Sequence, residues 1–311
     1  MIIDVHYHLV PALGRGTARH MAKYTVEAAR RVGLDLDLEQ CTQEALETFA
    51  DPEGEHLLKR MDDAGIDVTV FCMVDNYAIP GSTLEAARVA NERAAAVALR
   101  HPDRFVALAG VDPRRPEAVD LLRRCLDDFG MKGLKLHPDH GYDPVSPESF
   151  ALYEIVQERK GVVLIHTGPI LPPGRGATYA HPLLLEDLAV DFPDLPVIAA
   201  HMGQAWWRDW AGLASVQSTL YGDLAEWQIL AKRSFPLFCK DLREIIDRVG
   251  IEKVLFGTDG PVLDPVVSSA EYVRIVKSLT ERSPHGIKFM PEETAAILGE
   301  NAVRIFGTFL P

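Results

Sequence analysis

Basic residues are in short supply: 32 lysines and arginines face 45 aspartates and glutamates, for a formal net charge of −13. A nucleic-acid-binding face needs a basic stripe, so no nucleic-acid partner is expected, although a locally positive pocket can still take an anionic substrate. Cysteine is scarcer still. Cys41, Cys72, Cys125 and Cys239 are far apart and form no CxxC pair, which argues against a disulfide framework and fits a reducing compartment. Cys72, inside an apolar run, reads as core. No apolar run approaches the roughly 20 residues of a membrane span. The opening MIIDVHYHLV is also too short and too polar for a signal-peptide core. The expectation is a cytoplasmic protein without a membrane partner. Its 47% hydrophobic content is enough for one sizeable core in a single domain over residues 1–311.

Eight short runs rich in β-branched and apolar residues recur, at 2–5, 68–73, 105–110, 133–136, 162–165, 197–200, 220–224 and 254–257. Continuous apolar runs suit strands covered on both faces. Amphipathic helical patterns lie between them, at 55–64, 83–99, 116–129, 149–160, 182–191, 237–249 and 266–280. Gly65, Gly130, Gly161 and Gly250 stand just past helix ends, where a left-handed cap is easily formed. Strand–helix alternation of this kind predicts parallel crossovers and an α/β fold, a closed (β/α)8 TIM barrel. Two segments exceed a minimal barrel. Residues 9–53, with helical character near 19–32 and 43–50, follow the first strand, and the Gly/Pro-rich 168–181 follows the fifth. Both sit at C-terminal strand ends, where barrel active sites are built, and are expected to act as lid and pocket wall.

Histidine placement carries the chemistry. His6 and His8 end the first strand as HxH, and a period of two points both into the mouth with Tyr7 turned away. His137 ends strand four in KGLKLHP, His166 strand five in VVLIHTG, His201 strand six in VIAAHMG, and Asp259 follows strand eight in VLFGTDGP. Any one of these histidines, taken alone, reads more readily as a hydrogen-bonded core or loop residue. Closure of a barrel brings all of them to one ring. Three imidazoles and one carboxylate suit zinc or a similar divalent ion and leave positions open for water and substrate.

The HxH, IHTG, AHMG and FGTDGP strand ends, in that order, resemble the amidohydrolase superfamily, and most closely its amidohydrolase-2 branch. That branch includes aminocarboxymuconate semialdehyde and resorcylate-type decarboxylases. The resemblance covers residues 2–306. It implies that His6, His8, His166 and Asp259 hold one divalent ion, zinc ahead of manganese, iron or cobalt, and that His201 is the acid/base residue. The chemistry agrees: a divalent ion brings the pKa of bound water to roughly 7, Asp259 can bind the metal and also act as a catalytic residue by accepting that water's proton, and the His201 imidazole titrates close enough to neutrality to move a second one.

Lys135 and His137 lie two apart on strand four, so both face inward. They are expected to contact the anionic or carbonyl group of a substrate; the resemblance implies as the lesser alternative a carboxylated Lys135 bridging two ions, as some superfamily members have. Arg175 in PPGRGATY and Arg208 in HMGQAWWRDW are further candidates for clamping a carboxylate, although a solvated arginine reads as well for each. The four tryptophans, Trp206, Trp207, Trp210 and Trp227, are expected to wall a pocket or a subunit interface. Asp223 and Glu226 read as solvent-facing or helix-capping.

Three function classes follow. One is a hydrolase of a C–N or C–O bond in a small carbonyl- or carboxylate-bearing substrate, the second a non-oxidative decarboxylase of a small unsaturated or aromatic acid, and the third a non-catalytic barrel. Resorcylate-type relatives carry glutamate after the strand-six histidine, as HxGE. Gln204 stands there in this chain, which tips the sequence reading toward the hydrolase. The resemblance also implies a homo-oligomer.

Overall fold

A computed structural model describes residues 1–169 and 176–310. Eight parallel strands form one sheet in the order of the chain. They are β1 (Ile3–His8), β2 (Val68–Cys72), β3 (Phe105–Gly110), β4 (Gly133–Leu136), β5 (Val162–His166), β6 (Val197–Ala200), β7 (Leu220–Asp223) and β8 (Val254–Leu255). β8 is only two residues long, yet the ring closes past it: Val5 N donates to Phe256 O at 2.9 Å, and Asp259 N donates to His6 O at 2.8 Å. The expected (β/α)8 barrel is what forms.

Alternation along the strands builds two apolar layers. Ile3, Val5, Val68, Val70, Leu108, Leu164, Ile198 and Leu255 pack together inside the barrel. Leu134, Leu136, Val163, Ile165 and Phe256 face the helices. Side chains of opposite parity fill opposite faces of each strand.

The helices outside the ring begin where sequence-encoded caps satisfy their first amides. Thr83 accepts from Ala86 N to start α4 (Leu84–Arg100), and Ser146 accepts from Ser149 N to start α6 (Pro147–Glu158). The three helices before α4 are α1 (Arg15–Arg31), α2 (Leu38–Thr48) and α3 (Glu55–Ala64), and α5 (Ala118–Asp127) precedes α6. The long excursion after β1 is therefore the paired helices α1 and α2, close to the expected positions. The chain continues through α7 (Leu185–Asp191), α8 (Trp207–Ala214), α9 (Trp227–Arg233), α10 (Phe235–Val249) and α11 (Ser269–Lys277). The expected helix at 182–191 splits into a 3-10 turn, Pro182–Leu184, and α7. α8, α9 and a helical segment at 291–306 were not expected. Among the described residues, no helix is long and apolar enough to cross a membrane.

Gly133 shows how closely the strands approach. A Cβ there would lie 2.0 Å from Val162 O on the neighbouring strand, and backbone cannot swing aside as a side-chain tip can. Gly133→Ala should destabilise the protein by about 3 kcal/mol through overpacking, measured as a lowered denaturant midpoint. An unchanged midpoint would show that β4 and β5 can separate.

Candidate active site

β1 reaches its functional end through an irregularity. Its register to β2 runs Ile3↔Val68 and Asp4↔Thr69, then Tyr7↔Phe71 and His8↔Cys72, so β1 carries one residue more than its partner. Without it, alternation from Ile3 and Val5 would turn Tyr7 inward. The bulge resets the parity. His6 and His8 then face the mouth, while Tyr7 packs in the helix-side core and its hydroxyl accepts from Arg60 Nη1 at 3.2 Å.

Five imidazoles close a circle at the mouth. Ring-centroid separations run His6–His8 5.2 Å, His8–His137 5.7 Å, His137–His166 5.2 Å, His166–His201 5.1 Å and His201–His6 5.1 Å. Asp259 reaches into it: its Oδ1 lies 3.2 Å from His6 Nε2 and 3.0 Å from His8 Nε2, and those two nitrogens are 3.2 Å apart. Metal–ligand bonds of about 2.1 Å at octahedral or tetrahedral angles place neighbouring donors about 3.0–3.4 Å apart, so these three atoms fit one divalent ion. His201 joins His6 and Asp259 in a second such grouping. His166 lies across the circle, where it groups instead with His137 and Asp139. Lys135 is buried on β4 with Nζ 2.9 Å from His6 Nε2, inside the same circle.

The ring orientations are fixed from behind. His6 Nδ1 donates to Asp223 Oδ2 at 3.0 Å, His201 Nδ1 to Ala225 O at 3.2 Å and His166 Nε2 to Gly168 O at 3.1 Å. Each bond selects the tautomer and leaves the opposite nitrogen with a lone pair, as partners behind metal-ligating histidines do. Behind His8 stands Cys72, with Sγ 3.6 Å from Nδ1. Cys72 is buried core as expected, but it also touches a candidate ligand.

Asp223 overturns its reading as a solvent-facing residue. It is fully buried, and besides holding His6 it accepts from His201 N at 2.8 Å and Ala225 N at 3.1 Å. It reaches His6 across 217 residues of chain and so ties His6 to His201 in the circle. Asp223→Asn should retain the fold and weaken metal binding 10–100-fold, read by competition with a chromophoric chelator. Unaltered affinity would reduce Asp223 to a structural role.

Protonation follows burial and neighbours. Burial, reinforced by Lys135, brings His6 down to about 4, and burial brings His201 down to about 3. Burial opposes ionisation of Asp259, but His6, His8 and His201 outweigh it and hold the carboxyl well below its usual range. Burial would lower His8 too; Cys72 and Asp259 outweigh it and bring His8 up to about 9. Burial likewise opposes the Cys72 thiolate, and His8 with Lys135 overcomes it to bring Cys72 to about 5. At pH 7, then, His6 is already unprotonated, whereas His8 must give up a proton to bind an ion through Nε2. Ion binding should release close to one proton at pH 7, and affinity should rise by up to about tenfold per pH unit toward pH 9. Calorimetry in buffers of different ionisation enthalpy gives the proton count; a count near zero would contradict the His8 assignment.

Backbone strain concentrates in the same place. Six non-glycine residues with positive φ occur among the described residues, and five of them are His201, Met202, Gln204, Glu226 and Asp259. Left-handed backbone costs of order 1–3 kcal/mol per residue, persists only where surrounding structure enforces it, and clusters at functional sites. One restraint is visible at His201, whose carbonyl accepts from Trp227 Nε1 at 2.9 Å.

Glu226 is partly buried rather than solvated. Burial, with Asp259 nearby, raises its carboxyl well above the usual range, and it accepts a hydrogen bond from Gln204 Nε2. Both line a cavity of about 480 Å³ whose walls include Trp207, Trp227, Arg31 and Arg208. Arg208 does not reach the imidazoles: it pairs with Glu244 at 3.1 Å and stacks 4.0 Å over Trp207. Arg175 lies outside the described residues. Trp210 is fully buried and Trp206 packs against His181 with ring centroids 4.7 Å apart, so only part of the tryptophan group walls a pocket. A second cavity, about 590 Å³ and mostly apolar, has His8, Met73, Val262 and the α1 residues Thr17, His20 and Met21 in its lining. The excursion after β1 thus supplies wall to both cavities. Asp139 escaped the sequence reading; the signal was the carboxylate two residues past a strand-end histidine, in HPD.

An eight-stranded parallel barrel with its buried ionisable residues gathered at the C-terminal strand ends defines the barrel enzymes that work at that face. The chain belongs to the amidohydrolase family (Amidohydro_2), whose model matches residues 3–308. Solved structures of similar fold include a TIM-barrel protein from Bordetella bronchiseptica, 23% identical over 99% of both chains with a TM-score of 0.72. Another is 5-carboxyvanillate decarboxylase from Novosphingobium aromaticivorans, solved with manganese, 18% identical over 99% of this chain and 96% of that one with a TM-score of 0.70. A third is 2,6-dihydroxybenzoate decarboxylase from Rhizobium, 18% identical over 99% of both chains with a TM-score of 0.67. No curated protein matches the sequence.

Proposed function

We propose that this protein is a metal-dependent carboxy-lyase that removes carbon dioxide, without oxidation, from a small aromatic or unsaturated carboxylic acid. The observation that carries the reading is the convergence of His6, His8 and Asp259 donor atoms at 3.0–3.2 Å, with Lys135 Nζ pointing into the same space. His166 is the fourth ligand by family resemblance. Nitrogen and oxygen donors with open positions suit zinc or manganese. When bound, such an ion supplies positive charge for the substrate carboxylate and the oxygen beside it.

The remaining work falls to side chains of the chain. Lys135 offers an ammonium to the carboxylate. The apolar cavity beside His8 accepts a flat hydrocarbon ring. When the carbon–carbon bond breaks, its electron pair stays on the substrate carbon, which must take up one proton. His201 Nε2 faces the circle and relays it, and Glu226, whose carboxyl burial and the nearby Asp259 push well above its usual range, is the proposed proton source. Gln204 stands where resorcylate-type relatives carry glutamate. Its bond to Glu226 puts a carboxyl within reach of that position, so the missing HxGE no longer weighs against decarboxylation. The relatives of known activity named above are decarboxylases.

Hydrolysis of a C–N or C–O bond is the second reading, and the unprotonated His201 favours it, since a neutral imidazole takes a proton from water readily. Manganese- or zinc-loaded protein tested against dihydroxybenzoates, carboxyvanillate, amides and lactones separates the two. Carbon dioxide release matching substrate loss is expected; amide or lactone cleavage without it would replace the reading with hydrolysis.

A further inference from the structure

Access to the circle is one-sided. His8 keeps 17% of its side chain exposed and Asp259 14%, whereas His6 keeps none, and His137, His166 and His201 are buried. The cavity that meets His8 is the mostly apolar one of about 590 Å³. The arginine-lined cavity at Glu226 has none of the five imidazoles in its described walls. α4 supplies one wall of the apolar cavity through Ala86, Val89, Ala90 and Arg93, whose i, i+3, i+4, i+7 spacing sets them on one helix face. Two alanines there leave room that larger side chains would fill. Met21 of α1 and Met73 past β2 stand in the lining as well, and their unbranched thioethers adapt to irregular shapes. A closed space of about 150 Å³ holds one benzene ring, so a cavity of about 590 Å³ has close to four times the room of a single ring.

We propose that the acid this protein takes carries a hydrocarbon tail beyond its first ring or double bond, and that the tail lies between α1 and α4 while the carboxylate meets the ion beside His8. The inference names the substrate class more narrowly and rests on the carboxy-lyase reading for the place of the carboxylate. Continuity with the site singles out this occupant, since His8 belongs to both the metal group and the cavity wall. The driving force is the transfer of the tail out of water, with each buried methylene strengthening binding about fourfold until the space is full.

A series of 2,6-dihydroxybenzoates with alkyl tails of zero to eight carbons at position 4 tests this on the full, manganese-loaded chain. Calorimetric Kd should fall steadily with tail length, by at least about a hundredfold from the bare ring to the hexyl compound. Ala90→Phe, which fills the α4 wall, should flatten that slope and keep its manganese. Ala86→Phe repeats the test at an exposed position should Ala90→Phe misfold, and the wild-type series needs no substitution. A wild-type Kd that is the same for all tail lengths overturns the inference, and carbon dioxide release from the bare ring would then leave the carboxy-lyase reading standing. A steep slope with every bound acid recovered intact overturns the carboxy-lyase reading and keeps the tail site. A slope that survives both substitutions puts the tail elsewhere and overturns the inference. So does a change of oligomeric state on gel filtration of either variant, because a second copy of the chain would then cover this wall.

Discussion

Asp259→Asn protein should purify folded and bind its divalent ion at least about a thousandfold more weakly than the wild type. Asp259 is the ionised donor that both His6 and His8 approach, with Oδ1 3.2 and 3.0 Å from their Nε2 atoms. An amide of the same shape keeps one oxygen but loses the charge that draws a cation to neutral imidazoles. The backbone should tolerate the exchange: Asp259 has φ 52°, and asparagine enters this left-handed region about as readily as aspartate. Elemental analysis after gel filtration, with circular dichroism as the control for folding, reads the outcome. A folded variant that keeps a full ion would remove Asp259 from the ligand set.

His201→Asn should separate chemistry from metal binding. The variant is expected to keep the ion at His6, His8 and Asp259 while turnover falls about 10²–10⁴-fold, the usual contribution of a positioned acid/base group. Asparagine again suits the backbone, since His201 has φ 66°. The backbone anchors at this position, His201 N to Asp223 and Trp227 Nε1 to His201 O, do not involve the replaced ring. KM should stay within a few-fold of the wild-type value, because the proposed mechanism has the imidazole act on the proton while Lys135 and the ion hold the substrate. A raised KM at unchanged kcat, or loss of the ion, would make His201 a binding residue or a ligand.

The sequence showed most of what periodicity controls. Buried strands read as apolar runs, and a histidine or aspartate at the end of a run lands at the mouth once the ring closes; His6, His8, His137, His166, His201 and Asp259 were found this way, and Lys135 by sharing the inward parity of His137 on β4. Three things did not show. The extra residue in β1 that turns His6 inward leaves no trace in composition, because Ile3, Val5 and Tyr7 would have made an equally good alternating face. Asp223 looked like a surface carboxylate because its partner, His6, is 217 residues away, and only the closed barrel sets β7 beside β8 and β1. Cys72 looked like plain core because its contact with His8 runs across neighbouring strands. α8 and α9 were missed because WWRDW and EWQIL place tryptophans where a helical apolar stripe would normally carry aliphatic residues. Arg208, picked out for its closeness in sequence to His201, is turned onto Trp207 and Glu244 by the helix that carries it.

Whether one cation gathers the ends of β1 and β8 can be settled by anomalous diffraction from manganese-loaded crystals. A peak about 2.0–2.3 Å from His6 Nε2, His8 Nε2 and Asp259 Oδ1 is the predicted result. Fully loaded crystals that show no peak among these three atoms, or an ion bound only elsewhere, would contradict it.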